Sequence, residues 1–199
     1  MKSKTLAADY VIVGAGSAGC VLAGRLSEDE NCSVILIEAG GTDKRLIVKM
    51  PSAFYLPMQS KTLNWHYRSE PEPHMHNRRL DCPRGRGIGG SSSINGMVYA
   101  RGNAGDFERW AALGAQGWGY DDVLPYFKKA QGSRSGSRAE VARGFDGPLT
   151  TTDGVMGNPL YTHFIEAAQQ AGYPYRADLN DGDQEGFGPL PMTVADGVR

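Results

Sequence analysis

Nothing in this chain approaches the ~18 to 20 consecutive apolar residues that a membrane-spanning helix needs. The N-terminus enters its first apolar segment at Tyr10, leaving no room for the apolar core of a signal peptide. A cytoplasmic protein is the expectation. Cysteine is scarce: Cys20, Cys32 and Cys82 are odd in number and form no C-x-x-C pair, which speaks against a disulfide framework and fits free thiols in a reducing compartment. Excess charge of one sign is missing as well, since a formal net charge of −1 gives no whole-chain attraction to nucleic acid or anionic membrane. Histidine is limited to His66, His74, His76 and His163, and the His74-x-His76 pair has no suitably spaced third ligand, so no metal is expected. No internal repeat is visible.

What is present begins with Tyr10-Val11-Ile12-Val13, a short apolar run of the kind found in buried parallel strands. It leads directly into Gly14-Ala15-Gly16-Ser17-Ala18-Gly19, which places glycine at all three positions of G-x-G-x-x-G. Residues 18 to 27 then read as a helix, with Ala18, Leu22 and Leu26 on one face. A second apolar run, Val34 to Ile37, ends on Glu38, nineteen residues after Gly19. Strand, glycine turn, helix, strand and acid in that order predict a dinucleotide-binding βαβ unit. Gly14 would allow the tight turn, Gly16 the close approach of backbone to a pyrophosphate, and Gly19 the close packing of helix on strand. The pyrophosphate would sit on the helix N-terminus, where unpaired N–H groups and the helix dipole favour an anion. Glu38 would accept from the adenosine ribose hydroxyls, which disfavours a 2′-phosphate and hence NADP. The fingerprint leaves NAD and FAD open, because both carry the ADP half.

The second informative stretch is Pro83 to Asn95, PRGRGIGGSSSIN. Glycine- and serine-rich runs are, in isolation, more often linkers than binding loops. Here Gly85, Gly87, Gly89 and Gly90 would let backbone N–H groups approach an anion or a flat ring, and Ser91, Ser92 and Ser93 add hydroxyls. Arg78, Arg79, Arg84 and Arg86 nearby read as a solvated or phosphate-facing loop in preference to a nucleic-acid patch.

Gly85-Arg86-x-Ile88-Gly89-Gly90-Ser91-Ser92-x-Ile94-Asn95, followed by Tyr99, Gly102 and Glu108, resembles the first signature of the glucose-methanol-choline (GMC) flavoprotein oxidoreductases. Flanking stretches, among them Asn64-Trp65, Glu70 to His74, Arg101-Gly102-Asn103, Gly117 to Tyr120 and Asp146 to Leu149, extend the resemblance over nearly the whole chain. Within the family, PEPHMHNRRLDCPRG and SSSINGMVYARGNAGDFERW are most similar to choline-dehydrogenase-type members.

The resemblance implies an α/β fold: an incomplete FAD-binding Rossmann-like βαβ domain over residues 1–150, then the start of an α+β substrate-side domain over 151–199. It implies FAD as cofactor. Gly14, Gly16, Ser17, Ala18, Gly19, Glu38 and Ala39 would hold the ADP part. Arg84, Gly87, Gly90, Ser91, Asn95, Gly96, Met97 and Val98 would lie along the pyrophosphate, ribityl chain and isoalloxazine. Backbone amides near Asn95 to Val98 would face the flavin pyrimidine edge, where charge develops on reduction. The implied reaction oxidises a small-molecule alcohol, choline being the favoured one. Quinone or oxygen would accept the electrons, and such enzymes can work at the inner face of a membrane. The family's catalytic histidine lies near the C-terminus of much longer chains, so no catalytic residue is nominated here. Members that attach flavin covalently carry histidine immediately before the loop asparagine. This chain has Ile94, so a dissociable FAD is expected. Two alternatives remain: an NAD-dependent dehydrogenase domain, or a truncated, catalytically inactive dinucleotide-binding fragment.

Beyond residue 39, prolines at 51, 57, 71 and 73 argue against regular helix. Helices are expected over 104–113, over 121–131 with Pro125 near its first turn, and from Asn158-Pro159 to a stop at Gly172. The run GSRSGSRAEVARG, carrying Arg134, Arg138 and Arg143, reads as an exposed, mobile insertion. Trp65, Trp110 and Trp118 read as packing residues.

Overall fold

The computed structural model describes residues 5–136 and 142–199. Close contacts group them into two units, one formed by the chain up to Gly96 together with Val198 and Arg199, the other by Met97–Gly197.

In the first unit, strands β1 (Tyr10–Val13) and β2 (Val34–Ile37) pair in parallel with Tyr10 opposite Val34 and Val13 opposite Ile37. Helix α1 (Ser17–Leu26) makes the crossover. The expected βαβ unit is therefore present, and the helix begins one residue earlier than its periodicity suggests. Burial departs from expectation. Val13 is 82% exposed and Val11 and Tyr10 about half exposed, because among the described residues no further strand covers this pair.

The proline-containing stretch is more helical than its composition suggests. Helix α2 (Leu46–Lys49) is followed by a 3-10 turn at Pro51–Ala53 and by α3 (Tyr55–Gln59). Pro51 and Pro57 both fall in first turns, where a missing N–H costs no intrahelical bond. A small apolar core forms here from Val48, Leu63 and Ile94, with Ile47 and Met58 against it. A short antiparallel pair, β3 (Tyr67–Arg68) with β4 (Asp81–Cys82), leads into the glycine-rich loop.

In the second unit, α4 (Ala104–Ala112) and α5 (Tyr120–Ala130) pack around Phe107, which meets Trp110 and Phe127 edge-on at 5.3 and 5.7 Å. Asn103 caps α4 by accepting from Gly105 N. Strands β5 (Gln131–Ser133) and β6 (Leu149–Thr151) pair in parallel. Helix α6 (Pro159–Gln170) starts at its Asn158 cap, and Gly172 follows its end with a positive φ of 91°, as the sequence suggests. Phe164 on α6 packs on Phe187, which also meets Tyr173.

The interior of this unit is unusually polar. Arg101, 6% exposed, donates to Ala142 O and Gln131 Oε1, both at 2.6 Å. Gln131 in turn donates to Thr151 Oγ1 at 3.0 Å. Arg143 corrects the reading of its segment as an exposed insertion. It is equally buried and is ion-paired to Asp178 at 2.7 Å and Asp153 at 3.0 Å, because a guanidinium fork can satisfy two carboxylates at once. Arg134 is exposed and pairs with Asp196. Arg138 lies outside the described residues.

Candidate cofactor-binding site

The two glycine-rich segments meet at the C-terminal ends of β1 and β2. The first is the turn after β1. Gly14, with φ of 96°, turns the chain while its N–H donates to Ile37 O at 2.7 Å. Gly16 is the N-cap of α1 and offers no side-chain acceptor, and no acidic residue occupies the first helical turn. The first-turn N–H groups at Ser17 and Ala18 are thus left without a local anion. Gly19 is buried, and a Cβ on it would stand 1.9 Å from Gly14 O, so only glycine permits this packing of helix on turn.

The second segment crosses directly over the first. Gly89 donates to Ala15 O at 2.8 Å, and a Cβ on Gly90 would lie 2.8 Å from the Cα of Gly16. Gly87 bridges to Gly41, Ile88 donates to Gly41 O at 3.0 Å, and a Cβ on Gly40 would stand 2.4 Å from the Arg86 carbonyl carbon. Gly87, Gly89 and Gly90 all have positive φ, a conformation the loop needs for this approach and that other residues rarely adopt. Ser17 Oγ and Ser92 Oγ, 3.1 Å apart, tie the two segments by their side chains.

Glu38, at the tip of β2, joins these pieces. Its Oε2 accepts from Ala15 N and its Oε1 from Gly40 N, each at 2.8 Å. Burial pushes this carboxyl upward, but the backbone N–H groups of Gly40, Ala15, Gly87 and Ala39 outweigh burial and hold it below the usual carboxylate range. The acid thus has a backbone-ordering role that spacing alone does not reveal. Ala39 beside it is exposed.

The entry to the loop is set by Asn64, a residue that sequence reading noted only as part of a family-like stretch. It is 5% exposed, accepts from Arg84 N at 3.0 Å and His66 N at 3.1 Å, and donates to Met58 O at 2.7 Å. Its buried amide makes three of the bonds that a buried amide requires. The Arg84 guanidinium is exposed and donates to Pro83 O at 2.7 Å, within its own loop. Ser91 Oγ accepts from Gly85 N at 3.0 Å and closes the loop on itself. Asn95 and Gly96 follow the 3-10 turn Gly90–Ser93, and a Cβ on Gly96 would meet nothing within 4 Å. Ile94 is 3% exposed in the core with Val48 and Leu63.

Met97 and Val98 belong to the second unit. Met97 is 4% exposed and has φ of 63°, while its carbonyl accepts from Thr193 N at 2.8 Å and Thr193 Oγ1 at 3.2 Å. Val98 bridges to Met192.

A parallel βαβ unit with a glycine-capped helix N-terminus, an acid at the tip of β2 and a glycine loop over both strand ends defines a dinucleotide-binding protein of Rossmann type. The chain belongs to the GMC oxidoreductase family, whose sequence model matches residues 8–199. It is 53% identical over 193 residues to an oxygen-dependent choline dehydrogenase of Vibrio vulnificus (strain YJ016), covering 96% of this chain and 34% of that protein. An oxygen-dependent choline dehydrogenase of Rhizobium etli (strain CIAT 652) is 55% identical over 192 residues, covering 96% of this chain and 35% of that one. Among solved structures, pyridoxine 4-oxidase from Mesorbium loti superposes with a TM-score of 0.90 at 36% identity over 97% of this chain and 38% of its own. A formate oxidase from Aspergillus oryzae RIB40, studied for modification of its FAD, superposes with a TM-score of 0.86 at 28% identity over 96% of this chain and 35% of its own. The chain thus spans about a third of the length of these relatives.

Proposed function

We propose that this chain is the FAD-binding N-terminal part of an oxidoreductase that acts on the CH–OH group of a small alcohol, with choline favoured. The observation that carries this reading is the seating of Gly89 and Gly90 on Ala15 and Gly16, which joins the flavin-family loop to the ADP fingerprint. A NAD-dependent domain would need only the fingerprint turn. The choline assignment rests on the relatives' names.

Within this reading Gly16, Ser17 and Ala18 offer backbone N–H groups to the pyrophosphate, and Gly14, through its turn, and Gly19, through its packing, set the position of those groups. Glu38 accepts from the ribose through lone pairs beside those that take the Ala15 and Gly40 N–H groups, with Ala39 beside it. Gly87, Gly90, Ser91 and Arg84 follow the phosphates and ribityl chain, and Asn95, Gly96, Met97 and Val98 supply backbone groups to the ring. The glycine contacts support the fit, because the crowded backbone leaves no Cβ between loop and turn. FAD, when bound, supplies the hydride acceptor. Residues 1–150 are assigned to cofactor binding and 151–199 to the substrate side, a boundary that falls within β6 and marks a change of role along continuous chain. Oxygen or a quinone would be the electron acceptor, and association with the inner face of a membrane belongs to the same proposal. No helix among the described residues is long and apolar enough to cross a membrane.

The test is titration of the purified chain with FAD and, separately, NAD, followed by flavin fluorescence quenching and calorimetry. Saturable FAD binding with shifted flavin absorbance is expected. A chain that binds NAD in preference to FAD overturns the reading.

A further inference from the structure

Arg199 lies in the first unit, where its Nη1 donates to Ser92 O at 3.1 Å, Asn95 O at 2.9 Å and Asn95 Oδ1 at 3.1 Å. Its own backbone N–H donates to Lys49 O at 3.0 Å. Nε and Nη2 are buried without a hydrogen-bond partner among the described residues. Burial draws this guanidinium below the usual arginine range, yet arginine remains charged in proteins. Burying donors without acceptors is unfavourable. Here the cation is held in that state with its remaining donor group directed at one turn.

That turn needs support. Gly89 and Gly90, which open it, sit at φ of 84° and 55°, and glycine loses more backbone freedom on folding than any other residue. The turn's carbonyl oxygens at Ser92 and Asn95 carry partial negative charge, for which a cation is the natural partner. Ile94 packs on Val48 of α2, and Arg199 reaches Lys49 of the same helix through its backbone and the turn through its side chain. The turn is thus tied to α2 twice, by the packing of Ile94 and by Arg199.

We propose that Arg199 is a positioning residue for the FAD site, fastening the Ser92–Asn95 turn to α2 so that Asn95 and Gly96 are presented to the cofactor in one conformation. This rests on the FAD reading above. It is distinct from the glycine and acid contacts, since Arg199 acts through the turn.

The test compares the chain with R199M and R199K. Three measurements are made: thermal midpoint, amide hydrogen exchange of residues 92–96 without FAD, and FAD affinity by fluorescence quenching. R199M is expected to accelerate exchange in this turn and to weaken FAD by about tenfold, as loss of charge-assisted bonds would. R199K keeps the cation and should recover part of both. Unchanged exchange, or unchanged FAD affinity in R199M, overturns the proposal. So does an R199K variant as impaired as R199M with both merely less stable, which would make Arg199 structural only. Failure of the parent chain to bind FAD overturns the functional reading and, with it, this one; normal binding by the parent and both variants overturns this one alone.

Discussion

Gly19 stands where a Cβ would come within 1.9 Å of the carbonyl oxygen of Gly14, while Gly24, five residues along the same helix, would meet nothing within 4 Å. One glycine is demanded by packing and the other is not. Gly19→Ala should destabilise the chain by about 2 kcal/mol or more through forced separation of α1 from the turn. Gly24→Ala should leave it unchanged or stabilise it by up to about 1 kcal/mol, as expected for an unconstrained helical glycine. Urea unfolding midpoints of the two variants measure the contrast.

Gly90→Ala tests the seating of the loop. The position combines φ of 55° with a 2.8 Å approach to Gly16 Cα. The substitution should lower FAD affinity more than tenfold while costing about 1 to 2 kcal/mol in stability, the usual range for a non-glycine residue forced left-handed. Parallel titration and thermal melts separate the two effects.

Glu38 should make stability depend on pH in a definite direction. Its folded carboxyl is held below its ordinary value of 4.5. Its contribution is therefore fully present above that value and is lost as pH falls through the lower folded one. Glu38→Gln should cost about 1 to 3 kcal/mol near neutrality, where an amide N–H₂ replaces an acceptor facing backbone N–H groups. The difference from the parent should shrink below pH 4.5. Denaturant midpoints between neutral pH and the onset of acid unfolding give the measurement.

Asp178→Asn in the second unit should be strongly destabilising, by about 3 kcal/mol, because the buried Arg143 guanidinium would lose the more buried of its carboxylate partners Asp178 and Asp153. Replacing Arg134, whose pair with Asp196 is exposed, should change stability by under about 1 kcal/mol.

FAD bound to this chain should be dissociable. Ile94 occupies the position where covalently flavinylated relatives carry histidine, and its side chain is committed to the core with Val48 and Leu63. Acid precipitation of the flavin-loaded chain should leave yellow supernatant and a colourless pellet.

Much of the site was legible because its signals are local. A glycine triplet between an apolar run and an amphipathic helix, with Glu38 ending the next run, requires a βαβ unit whatever surrounds it. Asn158-Pro159 and Gly172 mark helix ends by backbone chemistry that operates within a few residues. Arg143 was misread because a glycine- and serine-rich neighbourhood says nothing about carboxylates brought from Asp153 and Asp178. Asn64 and Arg199 carried no motif signal of their own: a buried amide and a buried guanidinium gain meaning from the carbonyls and N–H groups around them. Pro57 was misjudged because its effect depends on where a helix starts, which neighbouring packing decides.

The amino-acid order alone determined the βαβ unit with its glycine turn and the acid at its second strand end, since steric freedom at Gly14, Gly16 and Gly19 and charge at Glu38 are properties of the residues themselves. Only the tertiary structure decided that the Gly85–Gly90 loop lies on that fingerprint, that Glu38 stitches turn, strand end and loop through their N–H groups, and that Arg199 is fastened beneath Asn95. Those are distances between residues remote in the chain, and they are set by the packing of backbone on backbone at the two strand ends.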